Sequence, residues 1–68
     1  MIDEIDNWFS YHPPKEGQAQ RYEEIRSTAK ILARAIEKCV PASADRTAAF
    51  RKLRECVMTA NAAIACNE

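Results

Sequence analysis

Residues 22–39 of this chain read YEEIRSTAKILARAIEKC, and their apolar positions are spaced alternately three and four residues apart. These positions are Tyr22, Ile25, Ala29, Leu32, Ile36 and Cys39. Such spacing predicts an amphipathic helix with a heptad-like apolar seam. Proline is tolerated in a first helical turn but cannot continue a helix, so Pro14 and Pro41 bound the prediction. We therefore predict a long helix over residues 14–40.

A second seam with the same spacing follows Pro41. Its apolar positions are Phe50, Leu53, Val57, Ala60 and Ile64. Ser43 is a suitable N-cap, and Asp45 places a negative charge in the first turn, where the helix dipole favours it. We therefore predict a second helix over residues 43–66. Two helices joined by so short a loop form an antiparallel helical hairpin.

The N-terminal segment, residues 1–13, is expected to form a short helix and an extended arm. Ile2, Ile5 and Phe9 have helical spacing. The residues that precede the two consecutive prolines avoid the α region, so they extend the chain. The predicted fold class is all-α, with a short N-terminal helix followed by the antiparallel hairpin in one domain, residues 1–68.

A chain of 68 residues buries only ~60% of its unfolded surface, so its own core is marginal. Small folds usually gain stability from disulfides, a metal or oligomerisation. The three cysteines, Cys39, Cys56 and Cys66, form no CxxC pair, and only His12 could join them as a zinc ligand. We therefore expect a homo-oligomer that holds no metal and no cofactor.

Apolar side chains outside the two seams are relevant to the expected homo-oligomer. Ile31, Val40 and Met58 suggest a second contact surface on the hairpin, although an alanine-rich helix surface is an equally good interpretation. Trp8 and Tyr11 lie beside the proline turn and suit either stacking on a base or filling an apolar interface. For Trp8 we favour the interface.

The composition also predicts a cytoplasmic protein. The N-terminus is acidic, and no apolar run approaches the ~20 residues that span a bilayer, which argues against a signal peptide and a membrane partner. Cysteines in a chain without a leader are typical of a reducing compartment.

A neutral total charge hides a basic central region. All ten Lys and Arg residues lie between positions 15 and 54, against five acids in the same stretch. Four cations recur every fourth residue on one face of the long helix: Arg26, Lys30, Arg34 and Lys38. This basic stripe favours either a solvated surface paired with neighbouring glutamates or recognition of an anion such as phosphate. Duplex nucleic acid fits less well, since no helix-turn-helix pattern occurs.

Few residues are suited to catalysis. The single histidine, His12, precedes a proline, and the residues near it in sequence form no obvious triad or acid–base pair. No glycine-rich phosphate loop occurs. We therefore expect a protein that is not an enzyme.

Four stretches together carry a family resemblance: WFSYHPP at 8–14, QRY at 20–22, IR at 25–26 and KLRECVMTANAAIA at 52–65. They resemble the phage anti-CBASS sponges of the anti-CBASS protein 2 type, whose helical-hairpin domain is shared with an anti-Thoeris sponge. The resemblance implies a sponge that sequesters cyclic di- and trinucleotide immune messengers such as cGAMP in the infected bacterial host, so that CBASS effectors stay inactive. It also implies a hexamer, with cyclic dinucleotides between paired protomers and cyclic trinucleotides on the three-fold axis.

The resemblance assigns the cyclic dinucleotide to a tyrosine before the proline turn and a basic residue on the long helix, here Tyr11 and Arg26. His12, Pro13 and Lys30 are implied as neighbours by position. The family's basic residue is often lysine, and arginine at this position keeps the charge but changes the geometry.

For the cyclic trinucleotide the resemblance implies a hydroxyl on the long helix and an arginine on the second helix, here Thr28 and Arg54.

Two other hypotheses about function stay open. The basic stripe could serve a helical protein–protein interaction module or inhibitor with an acidic partner. A phosphodiesterase would need an acid–base or metal cluster that the sequence does not suggest.

Overall fold

The computed structural model describes residues 3–68, which form three helices and no strand. They are α1 (Glu4–Trp8), α2 (Gln18–Cys39) and α3 (Ala44–Asn67). The predicted all-α fold with a short N-terminal helix and a helical hairpin is confirmed. The predicted contribution of Ile2 to the first helix lies outside the described residues.

The long helix begins at Gln18, one turn later than the predicted start near Pro14. Gly17 has a φ of 81°, in the left-handed region that glycine adopts without strain. The chain turns there, and the Gln18 backbone N–H donates to the Lys15 carbonyl at 3.1 Å. The side chain of Gln18 then closes the turn, because its Oε1 accepts from the Lys15 backbone N–H at 2.9 Å.

The start of α3 follows the sequence prediction closely. Ser43 is the N-cap, and its Oγ accepts a hydrogen bond from the Arg46 backbone N–H at 3.1 Å. Asp45 lies in the first turn. Before the cap, Val40 is extended (φ −113°, ψ 130°), as expected for a residue followed by proline. Four residues thus reverse the chain between α2 and α3.

The hairpin packs along the two seams, and α1 packs against α3. All five predicted seam residues of α3 are half-buried. On α2 the seam drifts: Leu32 is 50% exposed, while Ala33 is half-buried in its place. A straight helix has 3.6 residues per turn, so a strict heptad pattern rotates away from its partner within a few turns.

The chain is one helix layer thick. It measures 48 × 24 × 13 Å, and a helix with its side chains is roughly 10–12 Å across. Its radius of gyration is 15.0 Å, whereas a compact domain of this length has about 11 Å. No hydrophobic side chain among the described residues is buried. Both faces of the layer are therefore open.

Large apolar side chains lie on those open surfaces. Those most exposed are Ile5, Trp8, Phe9, Tyr11, Ile31, Leu32 and Met58. The accessible surface is 5807 Å², about 1,500 Å² more than a compact monomer of this mass presents. None of the helices in residues 3–68 is long and apolar enough to cross a membrane.

Candidate functional site

Arg26 lies on α2 where three surface grooves meet. The Asn61 groove, between α2 and the C-terminal half of α3, has a volume of about 410 Å³. Its lining residues are Tyr22, Arg26, Asn61, Ala62 and Ala65. The small alanines of α3 leave the space open, so Tyr22, Arg26 and Asn61 supply its polar groups. The groove therefore offers a cation, a phenol and an amide to one ligand.

The Arg54 groove, of about 350 Å³, runs farther along the hairpin. Arg26, Lys30 and Arg54 line it together with apolar side chains that include Met58. Three of the predicted site residues, which the sequence placed on two different helices, thus share one groove. Three cations around an apolar floor suit an anionic ligand with a flat, poorly hydrated part.

Thr28 lies apart from those cations. It lines a different groove of about 350 Å³, the Thr28 groove, with Glu24 and Cys56. This groove and the Arg54 groove share Leu53 and Val57 as their floor, so they flank the seam from opposite sides. Within one protomer the structure therefore does not bring Thr28 and Arg54 together.

Part of the basic stripe is paired with glutamates on the same helix. Arg26 lies 3.3 Å from Glu23, and Arg34 lies 3.1 Å from Glu37. Both pairs are exposed, and exposed pairs contribute only about 0–1 kcal/mol, so a phosphate can replace the glutamate at little cost. Arg26, Lys30 and Arg34 also share an outer groove of about 590 Å³ on α2.

The arm presents Tyr11 to solvent, with 84% of the residue exposed. Pro13 is exposed as well, whereas His12 is half-buried. His12 Nε2 lies 2.6 Å from the Asn7 carbonyl oxygen, which can only accept, so Nε2 carries a proton and donates. His12 thus turns inward while Tyr11 and Pro13 face outward.

The arm is anchored on the last turn of α3. Asn7 Nδ2 donates to the Cys66 carbonyl at 2.9 Å, and the Cys66 Sγ lies 3.9 Å from His12 Nε2. Cys66 follows the Ala62 and Ala65 positions of the Asn61 groove by one turn or less. The anchor therefore fixes the arm next to the open end of that groove.

A second contact ties the end of α3 to the start of α2. The two terminal guanidinium nitrogens of Arg21 donate to the Glu68 carboxylate, one at 2.6 Å, and Gln18 Nε2 donates to Glu68 Oε1 at 3.1 Å. Lys15 Nζ donates to the Glu68 main-chain oxygen. The Arg21 hydrogen bonds, and then that from Gln18, lower the pKa of Glu68 to about 2. We call these residues the Glu68 clasp.

Two lining residues were not singled out from the sequence. Asn61 was read only as part of the family pattern, and Tyr22 only as a seam residue and part of that pattern. An amide among alanines on a helix was a possible signal for Asn61, because alanines leave its side chain room on one face. Within residues 3–68, no group of three or more His, Cys, Asp or Glu side chains could hold a metal ion.

No curated protein and no solved structure is significantly similar to this chain. A family model does match it: the hairpin domain of Acb2/Tad1, over residues 1–65. That match spans nearly the whole chain, and the family acts in general as sponges for cyclic nucleotides. The chain therefore belongs to the Acb2/Tad1 hairpin-domain family, the anti-CBASS and anti-Thoeris sponges.

Proposed function

We propose that this protein sequesters cyclic di- and trinucleotide immune messengers, such as cGAMP, and releases them unchanged. Keeping the messenger from CBASS effectors would block their activation in the cytoplasm of an infected bacterium. The observation that carries the proposal is the shared placement of Arg26, Lys30 and Arg54 on one groove, in a chain whose family sequesters cyclic nucleotides.

For a cyclic dinucleotide, the arm and α2 would supply complementary groups. Tyr11 is exposed and its ring can stack on a purine, while Arg26 offers a planar donor fork to a phosphate. Lys30 adds a second cation, and Pro13 restricts the backbone beside Tyr11. His12 would contribute by holding the arm inward.

For a cyclic trinucleotide, Thr28 and Arg54 would have to meet across subunits, because they flank opposite sides of one seam. A three-fold axis brings such non-equivalent surfaces of neighbouring copies together around one ligand. A ring of three Arg54 guanidinium groups there would match three phosphates.

The grooves are open in a single protomer, so assembly would complete them. The excess surface of about 1,500 Å² matches roughly two standard interfaces, each of which covers about 800 Å² per partner. Two different interfaces per protomer build a closed ring or a dihedral assembly, and a hexamer is the assembly we propose. Covering the grooves excludes water and strengthens the contacts to phosphate.

The side chains around Arg26 support sequestration without cleavage. Guanidinium, ammonium, amide and phenol groups bind phosphates and bases, whereas hydrolysis needs a positioned base or metal-activated water. Glu23, the carboxylate nearest Arg26, is exposed and paired with it.

Calorimetry of wild type, Arg26→Ala and Arg34→Ala with 3′,3′-cGAMP tests the proposal. Each variant loses one arginine of the basic stripe that pairs with a glutamate. The two variants therefore have the same net charge, and both changes lie on the same face of α2. Arg26→Ala should weaken binding by about 1.5–3 kcal/mol, the range for a charged hydrogen bond, and Arg34→Ala should have little effect. If wild type binds neither cGAMP nor other cyclic di- and trinucleotides, the proposal is wrong and an acidic protein partner becomes the better hypothesis.

A further inference from the structure

Arg26 lines three grooves, and a neighbouring side chain can decide which of them its guanidinium group faces. The Asn61 groove and the Arg54 groove are lined by residues of both long helices. The outer groove, by contrast, is lined by α2 alone. An arginine side chain has many rotamers, so a charged neighbour can select the ones that point towards a single groove.

Glu23 holds Arg26 towards the outer groove. Within residues 3–68 it lines that groove and neither of the other two. Glu23 Oε2 lies 3.3 Å from Arg26 Nη2. The other carboxylate oxygen, Oε1, lies 3.4 Å from the hydroxyl of Ser27, which also lines the outer groove. The carboxylate therefore keeps the guanidinium group on the side of α2 where α3 contributes no lining residue.

We propose that Glu23 is a positioning residue that competes with the bound nucleotide for Arg26. This inference rests on the proposed function. A phosphate in the Asn61 groove or the Arg54 groove needs the guanidinium group, which must first leave the Glu23 carboxylate. Both side chains of the pair are exposed, so the pair is weak enough to be displaced. Glu23 therefore lowers the affinity for every ligand that binds through Arg26.

The competition favours phosphates over carboxylates. The ion pair joins one guanidinium nitrogen to one carboxylate oxygen. A phosphate can accept from two guanidinium nitrogens in parallel, which is the stronger arrangement. A ligand that offers only a carboxylate exchanges one such partner for another and gains little. Glu23 thus keeps Arg26 from weaker anions and releases it to a nucleotide.

Calorimetry with 3′,3′-cGAMP on variants of Glu23 tests this role. Glu23→Gln keeps the side-chain volume and removes the competing charge, so it should bind about two- to fivefold more tightly than wild type, the factor that an exposed ion pair supplies. Glu23→Asp keeps a carboxylate that can pair with an arginine three residues later, so its affinity should stay near that of wild type. Glu37→Gln is the matched control. It removes the same charge and breaks the Arg34 pair of the same stripe, and its affinity should also stay near that of wild type.

A double-mutant cycle separates competition for Arg26 from a general loss of negative charge. In an Arg26→Ala background there is no guanidinium group for Glu23 to hold, so Glu23→Gln should improve binding much less than it does in wild type. A change in helix stability alone would not produce this dependence on Arg26. Circular dichroism checks that every variant is helical.

Failure of this inference is distinguishable from failure of the proposed function. If wild type binds cGAMP and Glu23→Gln binds it no more tightly, Glu23 does not compete for Arg26, while sequestration of cyclic nucleotides stands. The inference is also wrong if the gain is the same with and without Arg26, or if Glu37→Gln gives an equal gain. If wild type binds no cyclic di- or trinucleotide, the proposed function fails and this inference fails with it.

Discussion

Replacing Phe9 by alanine should separate the proposed assembly of the protein from the folding of a single chain. Phe9 follows α1 as its C-cap, and its backbone N–H donates to the Ile5 carbonyl at 3.1 Å. The residue is 84% exposed in the protomer. Alanine keeps the backbone hydrogen bond, so the substitution removes little except apolar surface that faces away from the chain.

The magnitude follows from that exposed surface. A phenylalanine side chain presents roughly 200 Å², of which 84% is open here. Covering about 170 Å² at about 25 cal/mol per Å² stabilises an interface by about 4 kcal/mol at most. Phe9→Ala should therefore raise the dissociation constant of the contact by up to about a thousandfold. The free energy of unfolding of the protomer should change by less than about 0.5 kcal/mol.

Sedimentation equilibrium over a range of concentrations measures the first effect. Trp8 provides a second readout, because it is the single tryptophan and is 57% exposed in the protomer. Its emission should shift to shorter wavelength on assembly in wild type, and only at higher concentration in Phe9→Ala. Glu4→Ala, an exposed change on the same short helix, is the control and should assemble normally. If Phe9→Ala assembles as tightly as wild type, the exposed apolar surface of Phe9 is not part of an interface.

Four further predictions concern ligand binding, the pH dependence of stability and the N-cap of α3. Tyr11→Ala should abolish cyclic-dinucleotide binding in calorimetry and leave the oligomer seen in sedimentation intact; normal binding would show that the dinucleotide assignment is wrong. Arg54→Ala should weaken cyclic-trinucleotide binding more than dinucleotide binding, and equal losses would contradict separate pockets. Because hydrogen bonds lower the pKa of Glu68 from 4.5 to about 2, the Glu68 clasp stabilises the fold above pH 4.5 and is lost as the pH falls towards 2. In urea unfolding, Glu68→Gln should be less stable than wild type at pH 6 and close to it near pH 2; a gap independent of pH would rule out the clasp. Ser43→Ala should lower the free energy of unfolding by about 1 kcal/mol in the same assay, because the N-cap hydrogen bond of α3 is lost. An unchanged free energy of unfolding would mean that this hydrogen bond does not stabilise the fold.

The hairpin was predictable because its signals are local. Alternating spacings of three and four fix which face of each helix is apolar, and Pro41 with Ser43 fixes the turn between them. The start of α2 was less predictable. Pro14 is compatible with a first helical turn. The left-handed conformation of Gly17 shows that the chain makes a separate turn there, and that α2 begins only after it. Propensity alone does not decide between two acceptable starts.

The candidate site was only partly predictable, since it depends on which residues of the two helices face each other. The stripe spacing placed Arg26 and Lys30 on one face of α2. Arg54 lies across the groove from Arg26 and Lys30, whereas Thr28 lies on the other side of the seam. Both placements depend on how the two helices are rotated about their axes. The anchor of the arm on Cys66 joins residues far apart in sequence, which no local pattern indicates.

The most direct test of the central claim is recovery of the ligand. Purified protein is saturated with 3′,3′-cGAMP, freed of unbound nucleotide, heat-denatured, and the released nucleotide is identified by chromatography. A sponge should return intact cGAMP in an amount that matches the bound fraction measured by calorimetry. Recovery of a linear dinucleotide would show hydrolysis and contradict the account.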